Sequence, residues 1–147
     1  MLGWREWVGL PELELPMVKA KVDTGARTSA LHAFYVESYH RGGESYVRFG
    51  VHPLHRRSDV AVHCRARVVD RRFVCDSGGH RERRFVIRTT VRLGEAQWPI
   101  ELTLTNRDSM FFRMLLGRTA MAGRVLVDPR RSFLTGRHKD PAALYTG

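Results

Sequence analysis

Apolar and polar residues alternate along most of this chain, with the period of two that is typical of half-buried β-strands. Val18, Ala20 and Val22 alternate with polar residues, and the pattern recurs at 60–70 and 98–104. Glycine, proline and charged residues interrupt it at intervals of roughly eight to twelve residues. The pattern therefore predicts many short strands joined by tight turns.

The predicted elements cover nearly the whole chain. Strands are predicted at residues 4–15 (with a turn), 18–23, 29–39, 45–51, 60–70, 85–93, 98–104, 110–117, 125–127 and 132–134. Hairpin tips are predicted at 40–44 and near 76–80, where glycines occur in pairs. One short helix is expected at 119–121. These elements predict a single all-β domain, 1–147, folded as a closed barrel of short strands, with a loose tail from residue 135.

One predicted strand ends in a carboxylate on a tight turn. Asp23, Thr24 and Gly25 follow the strand directly, and Ala26 comes next. Gly25 permits a tight turn, and Thr24 offers a hydroxyl group on a stiff side chain. An Asp in a turn commonly bonds only to its own backbone. The tripeptide alone is therefore compatible with a structural turn as well as with a catalytic carboxylate.

A second motif lies far downstream and resembles its counterpart in a known protein family. Leu115, Leu116, Gly117 and Arg118 form an apolar-apolar-Gly-Arg junction between a predicted strand and the short helix. Together with the earlier Asp-Thr-Gly-Ala, this junction resembles the retropepsin-like aspartic proteases. The match extends to a small bacterial family labelled ATP-dependent zinc protease, which has a retropepsin-like fold. Four blocks carry it, in order: 3–8, 19–31, 102–107 and 114–118.

The resemblance implies roles for both motifs. Asp23 would be the catalytic residue, and Thr24, Gly25 and Ala26 would form the active-site loop. Leu115, Leu116, Gly117 and Arg118 would pack beneath that loop. Aspartic proteolysis needs two carboxylates about 3 Å apart that share a proton. One chain supplies one such Asp, so the resemblance implies a symmetric homodimer.

Retropepsins close a flap hairpin over the bound peptide, and the predicted hairpin at 69–86 lies between the two motifs, where a flap would be. Glycines at its tip would keep such a lid mobile. An ordinary surface hairpin would show the same pattern. The flap and substrate-binding residues expected from the resemblance are Ser77, Gly78, Gly79, His80, Arg81, Arg83 and Arg84.

The chain is strongly basic, with 25 Lys and Arg against 15 Asp and Glu, a net charge of +10 and a pI of about 10.7. Such a surface attracts anionic partners, although an arginine-rich proteome would produce the same excess. No zinc-finger, helix-turn-helix or RNA-recognition pattern accompanies the charge, so we expect no nucleic-acid partner. Members of the family that it resembles are similar in setting to proteins encoded beside ATP-grasp ligases, which add glutamates to a small-subunit ribosomal protein. The resemblance thus implies an acidic, glutamate-rich peptide substrate and a functional link to such a ligase.

We expect neither a metal nor a cofactor, despite the family label. The sequence has no His-Glu-x-x-His motif, and its histidines are scattered. It also lacks the glycine-rich loop that would hold the phosphates of ATP. No run approaches the roughly 18 apolar residues of a membrane span, and no export signal is recognisable, so we expect a cytoplasmic protein without membrane contact. Of the two cysteines, Cys64 is predicted to lie in the core as a reduced thiol.

Three hypotheses follow. The first is an aspartic peptidase that acts as a homodimer on an acidic peptide or protein tail. The second is a peptide-binding module of the same fold without turnover. Arg27 keeps this alternative open, because a cation near the dyad would lower the Asp pKa and favour the fully ionised, inactive state. The third is a basic ribosome-binding or nucleic-acid-binding protein in which Asp23 is structural.

Overall fold

The computed structural model describes residues 1–54, 59–75, 78–106, 112–136 and 141–145 of the chain. The described part contains nine strands, two 3₁₀-helices and one short α-helix. The strands are β1 (Arg5–Leu10), β2 (Leu15–Asp23), β3 (Ser29–His32), β4 (Tyr35–Arg41), β5 (Glu44–Val51), β6 (Val62–Cys75), β7 (Arg81–Leu93), β8 (Ala96–Thr105) and β9 (Met114–Gly117). The helix α1 is Arg118–Met121, and the 3₁₀-helices are Pro11–Leu13 and Pro141–Tyr145. No helix in the described ranges is long and apolar enough to span a membrane.

Six of the strands close into a barrel. Their order is β1-β2-β9-β3-β8-β7, and a pairing between Gly9 of β1 and Arg92 of β7 completes the circle. Strands β2 and β9 run parallel to each other, as do β3 and β8, whereas the other neighbours are antiparallel. The predicted all-β closed barrel with one short helix is therefore confirmed.

The alternation in the sequence corresponds to the two faces of the barrel wall. Val18, Ala20 and Val22 of β2 are buried in the core, as the pattern predicts. In β8 the apolar set is buried too, but Thr103 and Thr105 on its other face are also covered. They are buried because neighbouring strands bring polar partners to them: Thr103 Oγ1, for example, donates a 2.8 Å hydrogen bond to Ser29 O.

A long hairpin projects from the barrel. Strand β6 pairs with β7 from Val68 opposite Ile87 to Cys75 opposite Arg81, with an irregularity after Val68. The predicted hairpin is present, but its strands have 14 and 13 residues and are longer than the sequence pattern suggested. Strands β5 and β4 extend the sheet beyond β6.

Three predicted elements differ from the structure. The stretch 29–39 forms two strands, because Ala33 N and Phe34 N bond to Thr105 O and Gly50 O and turn the chain toward a different neighbour. The stretch 125–127 makes only an isolated bridge, between Val127 and Leu2. The stretch 132–134 is not a strand either, since Phe133 has a left-handed φ of 55° that no strand tolerates.

Part of the C-terminal tail, which we expected to be loose, is docked on the barrel. Residues Pro141–Tyr145 form a 3₁₀-helix, and the Tyr145 hydroxyl donates a hydrogen bond to Met17 O. Met17 N donates a 3.1 Å hydrogen bond back to the same hydroxyl oxygen. Burial raises the pKa of Tyr145 to about 12, which keeps the hydroxyl protonated as a donor.

Candidate active site

Parallel pairing brings the two sequence motifs to one end of the barrel. Strands β2 and β9 run side by side in register, so that Asp23 lies opposite Gly117 where both strands end. Strand β3 is antiparallel to β9 and begins at Ser29, at this same end. The short loop 24–28 therefore connects β2 to β3 around the end of β9.

The Asp23 carboxylate is held by its own turn. Asp23 Oδ1 accepts a 3.0 Å hydrogen bond from Gly25 N, and Asp23 O accepts one of 3.2 Å from Ala26 N. These are the local bonds expected of an Asp in a turn. Within the described ranges no group donates a hydrogen bond to Oδ2, so the turn leaves one carboxylate oxygen available for other chemistry.

The junction between β9 and α1 fixes the backbone of the loop. Arg118 N donates to Ala26 O over 2.8 Å, and Thr119 donates to Arg27 O through both its amide, over 3.2 Å, and its hydroxyl, over 2.8 Å. Arg118 Nη1 also reaches Gly25 O at 3.5 Å. The loop thus has several bonds to a different part of the chain, which restrict its conformations.

The glycine and the serine of the two motifs complete this junction. Gly117 N donates a 3.0 Å hydrogen bond to Ser29 Oγ. Leu116 is fully buried, whereas Leu115 is partly exposed beside the loop. All the residues that we expected beneath the loop, Leu115, Leu116, Gly117 and Arg118, are therefore gathered near Asp23.

Asp23 opens into a large cavity of about 1010 Å³. The loop forms one side of it, and Arg72, Phe73, Val74 and Cys75 from the end of β6 form another. The full lining is Asp23, Gly25, Ala26, Arg27, Thr28, Ala30, Arg72, Phe73, Val74, Cys75, Arg84, Glu101, Leu115 and Thr119. The cavity is large enough for several residues of a peptide and lies between the loop and the hairpin.

The predicted flap residues do not form one group. Gly78, Gly79 and His80 lie exposed at the end of the hairpin, and Ser77 falls outside the described residues. Arg81 and Arg83 are exposed on β7 and do not line the cavity, whereas Arg84 is buried and does. Of these three arginines, Arg84 lines the cavity although it is only 8% exposed.

Two cavity arginines are engaged by acidic residues of the same chain. Arg72 Nη2 donates to both carboxylate oxygens of Glu101, over 3.0 and 2.9 Å, and its Nε donates to Asp70 Oδ2 over 2.8 Å. The Arg72 hydrogen bond is the main reason why the pKa of Asp70 lies below its ordinary value. Arg84 Nε donates to Glu82 Oε2 over 3.0 Å, and Arg84 Nη1 lies 3.5 Å from Thr103 Oγ1.

The sequence places Arg72 among the basic residues of the hairpin but does not identify Glu101 as its partner in the cavity lining. Arg72 and Glu101 are 29 positions apart and meet only because β6, β7 and β8 are neighbours. The signal available in the sequence was a pair of predicted strands that carry charged residues at alternating positions. In the described ranges, no cluster of three or more His, Cys, Asp or Glu residues could hold a metal ion.

The model of the RimB-like family, described as retropepsin-like aspartic endopeptidase RimB, matches residues 1–138. This chain belongs to that family. The resemblance predicted from the four sequence blocks is confirmed. The RimB-like chain also matches a solved protein of unknown function (DUF785) from Legionella pneumophila, with a TM-score of 0.73 and 28% identity. That match covers 91% of this chain and 96% of the Legionella one.

Curated relatives of this RimB-like chain are much longer. A protein from Shewanella halifaxensis named "Probable alpha-L-glutamate ligase" is 46% identical over 140 residues, which are 95% of this chain and 31% of the relative. One of the same name from Parasynechococcus marenigrum is 50% identical over 136 residues, 92% of this chain and 29% of the relative. The chain thus spans less than a third of the length of these relatives.

Proposed function

We propose that this RimB-like chain is an aspartic peptidase whose catalytic residue is Asp23. The observation that carries the proposal is the position of the Asp23 carboxylate. It lies on a loop fixed by the β9–α1 junction and faces a cavity of about 1010 Å³. The family match is consistent with this chemistry. The end of the β6–β7 hairpin lines the same cavity, which supports a role for the hairpin as a flap.

The proposed mechanism needs a second carboxylate. We propose that it is Asp23 of a second copy of the chain, which would meet the first on a two-fold axis. One carboxylate, ionised, would take a proton from the attacking water. The other, protonated, would donate its proton to the carbonyl oxygen. As the tetrahedral intermediate collapses, the first would pass the proton from water to the leaving amine, and the second would recover its proton from the hydroxyl group. The loop 24–28 is largely exposed in the single chain, so it is accessible to a second subunit.

The proposed substrate is an acidic, glutamate-rich peptide or protein tail. The net charge of +10 favours encounter with such a peptide. The relatives' names support it further, since a segment similar to this chain lies within proteins named as glutamate ligases. A peptidase unit that shares a polypeptide with a ligase would meet the glutamate-extended products of that ligase. This reasoning also supports the functional link to an ATP-grasp glutamate ligase.

The test is cleavage of a glutamate-extended peptide by the purified protein and by the Asp23→Asn variant. An amide is nearly isosteric with the carboxylate but cannot take up or release the proton. We expect the variant to fold normally and to lose cleavage by a factor of at least about 10³, with each scissile bond identified by mass spectrometry. Cleavage retained by Asp23→Asn would exclude the aspartic mechanism. If a chelator abolishes wild-type cleavage and added zinc restores it, the mechanism depends on a metal and is not the aspartic one.

A non-catalytic peptide-binding module is the second candidate. Arg27 supports it, because this exposed arginine lines the cavity with Asp23 and can bind an acidic peptide whether or not the peptide is cleaved. The same experiment separates the two candidates. A module would bind the peptide without cleaving it at any pH, whereas a peptidase would cleave it wherever the two carboxylates share one proton.

A further inference from the structure

Three arginines line the cavity, and they differ in what their side chains already contact. Arg72 is paired with Glu101 and Asp70, and Arg84 is paired with Glu82. Arg27 is exposed, and across the described residues its guanidinium forms no ion pair or hydrogen bond. Of the three, Arg27 is the cation that no carboxylate among the described residues pairs with.

The backbone of Arg27 is fixed while its side chain is unengaged. The Arg27 carbonyl oxygen accepts two hydrogen bonds from Thr119, of 2.8 Å from the hydroxyl and 3.2 Å from the amide. The guanidinium group therefore starts from a defined point on the cavity wall. Arginine presents a planar fork of donors that matches a carboxylate with two parallel hydrogen bonds. These are the properties of a group that recognises an incoming anion.

We propose that Arg27 is the specificity-determining residue of the cavity and that its guanidinium binds a glutamate carboxylate of the substrate. The inference rests on the proposed peptidase function and deepens it. Arg27 is four residues from Asp23, a separation of at most about 14 Å along the backbone. An extended peptide advances about 3.4 Å per residue. The recognised glutamate therefore lies only a few residues from the cleaved bond.

The exposed arginines of the hairpin are poorer candidates for this role. The guanidinium carbon of Arg81 lies 4.7 Å from the ring centre of Phe73, and Arg83 does not line the cavity. Their charge would speed the approach of an acidic peptide without selecting a position in it. In the proposed dimer each subunit would contribute one Arg27 by symmetry. Glutamates on both sides of the cleaved bond are then favoured, as in an uninterrupted glutamate run.

The experiment compares a glutamate peptide with analogues in which one glutamate at a time is replaced by glutamine. For the wild type, we expect kcat/KM to fall roughly tenfold for glutamine at the recognised positions, the factor of one charge-assisted hydrogen bond. In Arg27→Gln this difference should shrink to less than about twofold. Arg27→Lys should recover part of the preference, because it restores the charge but not the fork.

Arg65→Gln is the matched control, since it removes one positive charge from an exposed position of β6 outside the cavity. It should keep the full preference for glutamate. If Arg27→Gln keeps that preference, or if it loses activity equally on both peptides, Arg27 is not the selecting group.

Peptide binding by the Asp23→Asn variant distinguishes failure of this inference from failure of the proposed function. If the wild type cleaves nothing, a preference for the glutamate peptide that Arg27→Gln abolishes still supports the inference. Equal binding of the glutamate and glutamine peptides by Asp23→Asn with Arg27 intact overturns it.

Discussion

Gly117 lies so close to Thr28 that a Cβ atom at residue 117 would be 2.6 Å from both the carbonyl carbon and the carbonyl oxygen of Thr28. Real Cβ atoms do not approach backbone atoms this closely, so an alanine would have to push the loop away. The same Gly117 donates its amide to Ser29 Oγ. The position of the Asp23 loop therefore depends on a glycine that is 94 residues further along the chain.

Gly117→Ala should displace the loop and reduce the proposed activity by at least about tenfold, because a shift of about 1 Å at reacting groups is costly. Stability should fall by about 1–3 kcal/mol through overpacking. Gly50→Ala is the matched control. Its Cβ would lie 2.4 Å from the Phe34 ring, and Gly50 does not line the cavity. The control should lose similar stability in urea unfolding and keep kcat. Equal losses of kcat in both variants would contradict a specific role of Gly117.

The barrel could be predicted from the sequence because each of its strands is marked by a local pattern of residues. Alternation at Val18, Ala20 and Val22 marks a strand wherever that strand pairs, and Asp23 and Gly117 each lie in a contiguous motif. The pairing of Arg72 with Glu101 follows instead from the order of three strands. Arg84 is buried and hydrogen-bonds to Glu82 on its own strand and to Thr103 on β8. The sequence pattern therefore does not predict the burial of Arg84, because a charged residue on a strand looks the same whether solvent or another strand covers it.

The role of Glu6 is a second feature that the sequence pattern does not predict. Its carboxylate is fully buried and accepts four hydrogen bonds. The donors are Gly3 N at 2.6 Å, Leu134 N at 2.9 Å, Thr135 N at 3.0 Å and Thr135 Oγ1 at 2.8 Å. One carboxylate thereby fastens the segment 134–135, at the end of the described stretch 112–136, to β1. This segment is held by hydrogen bonds to the Glu6 side chain and not by strand pairing.

Glu6→Gln should lower the free energy of unfolding by about 2–4 kcal/mol, since the new NH₂ group would face donors and leave buried amides without acceptors. Glu12→Gln is the control, because Glu12 is exposed and its Oε1 accepts one bond, of 2.7 Å, from Thr90 N. Its cost should stay below about 1 kcal/mol. Urea unfolding followed by fluorescence measures both. A Glu6→Gln variant as stable as Glu12→Gln would show that the four hydrogen bonds add nothing to stability.

The proposed dimer predicts how activity depends on concentration. If each subunit supplies half of the dyad, activity below the dissociation constant should fall about fourfold for each twofold dilution. The competing source of a second carboxylate within the described chain is Glu101, which lines the cavity with Asp23. Asp128 is a weaker candidate for the second carboxylate, because it forms ion pairs with Arg130 and Arg131 and does not line the cavity. Asp108 lies outside the described residues.

Glu101→Gln separates these alternatives. We expect this variant to cleave peptide at nearly the wild-type rate, because it loses only a partly exposed ion pair worth less than about 1 kcal/mol. Strictly linear dilution together with an inactive Glu101→Gln would assign the dyad to a single chain. Sedimentation at the assay concentrations provides an independent measurement of the subunit number.

The reactivity of the two cysteines reports whether the cavity is occupied, and this measurement does not depend on turnover. Cys64 is buried in the core, and burial raises its pKa to about 12. At pH 8 only about one Cys64 side chain in ten thousand would then be a reactive thiolate, so labelling of Cys64 requires unfolding. Cys75 is exposed and lines the same cavity as Asp23. A thiol reagent should therefore modify Cys75 in the folded protein and both cysteines in urea.

A peptide that occupies the cavity should protect Cys75 from the reagent. At saturation we expect the labelling rate of Cys75 to fall at least about tenfold, because the bound fraction excludes the reagent. The Asp23→Asn variant should show the same protection, since binding needs no proton transfer, and Cys75→Ser should show no labelling at all in the folded state. A glutamine peptide should protect less than a glutamate peptide, and salt should reduce that difference, because exposed charge pairs are screened over about 8 Å at physiological ionic strength. Unchanged labelling of Cys75 at peptide concentrations that saturate the enzyme would place the substrate elsewhere on the molecule.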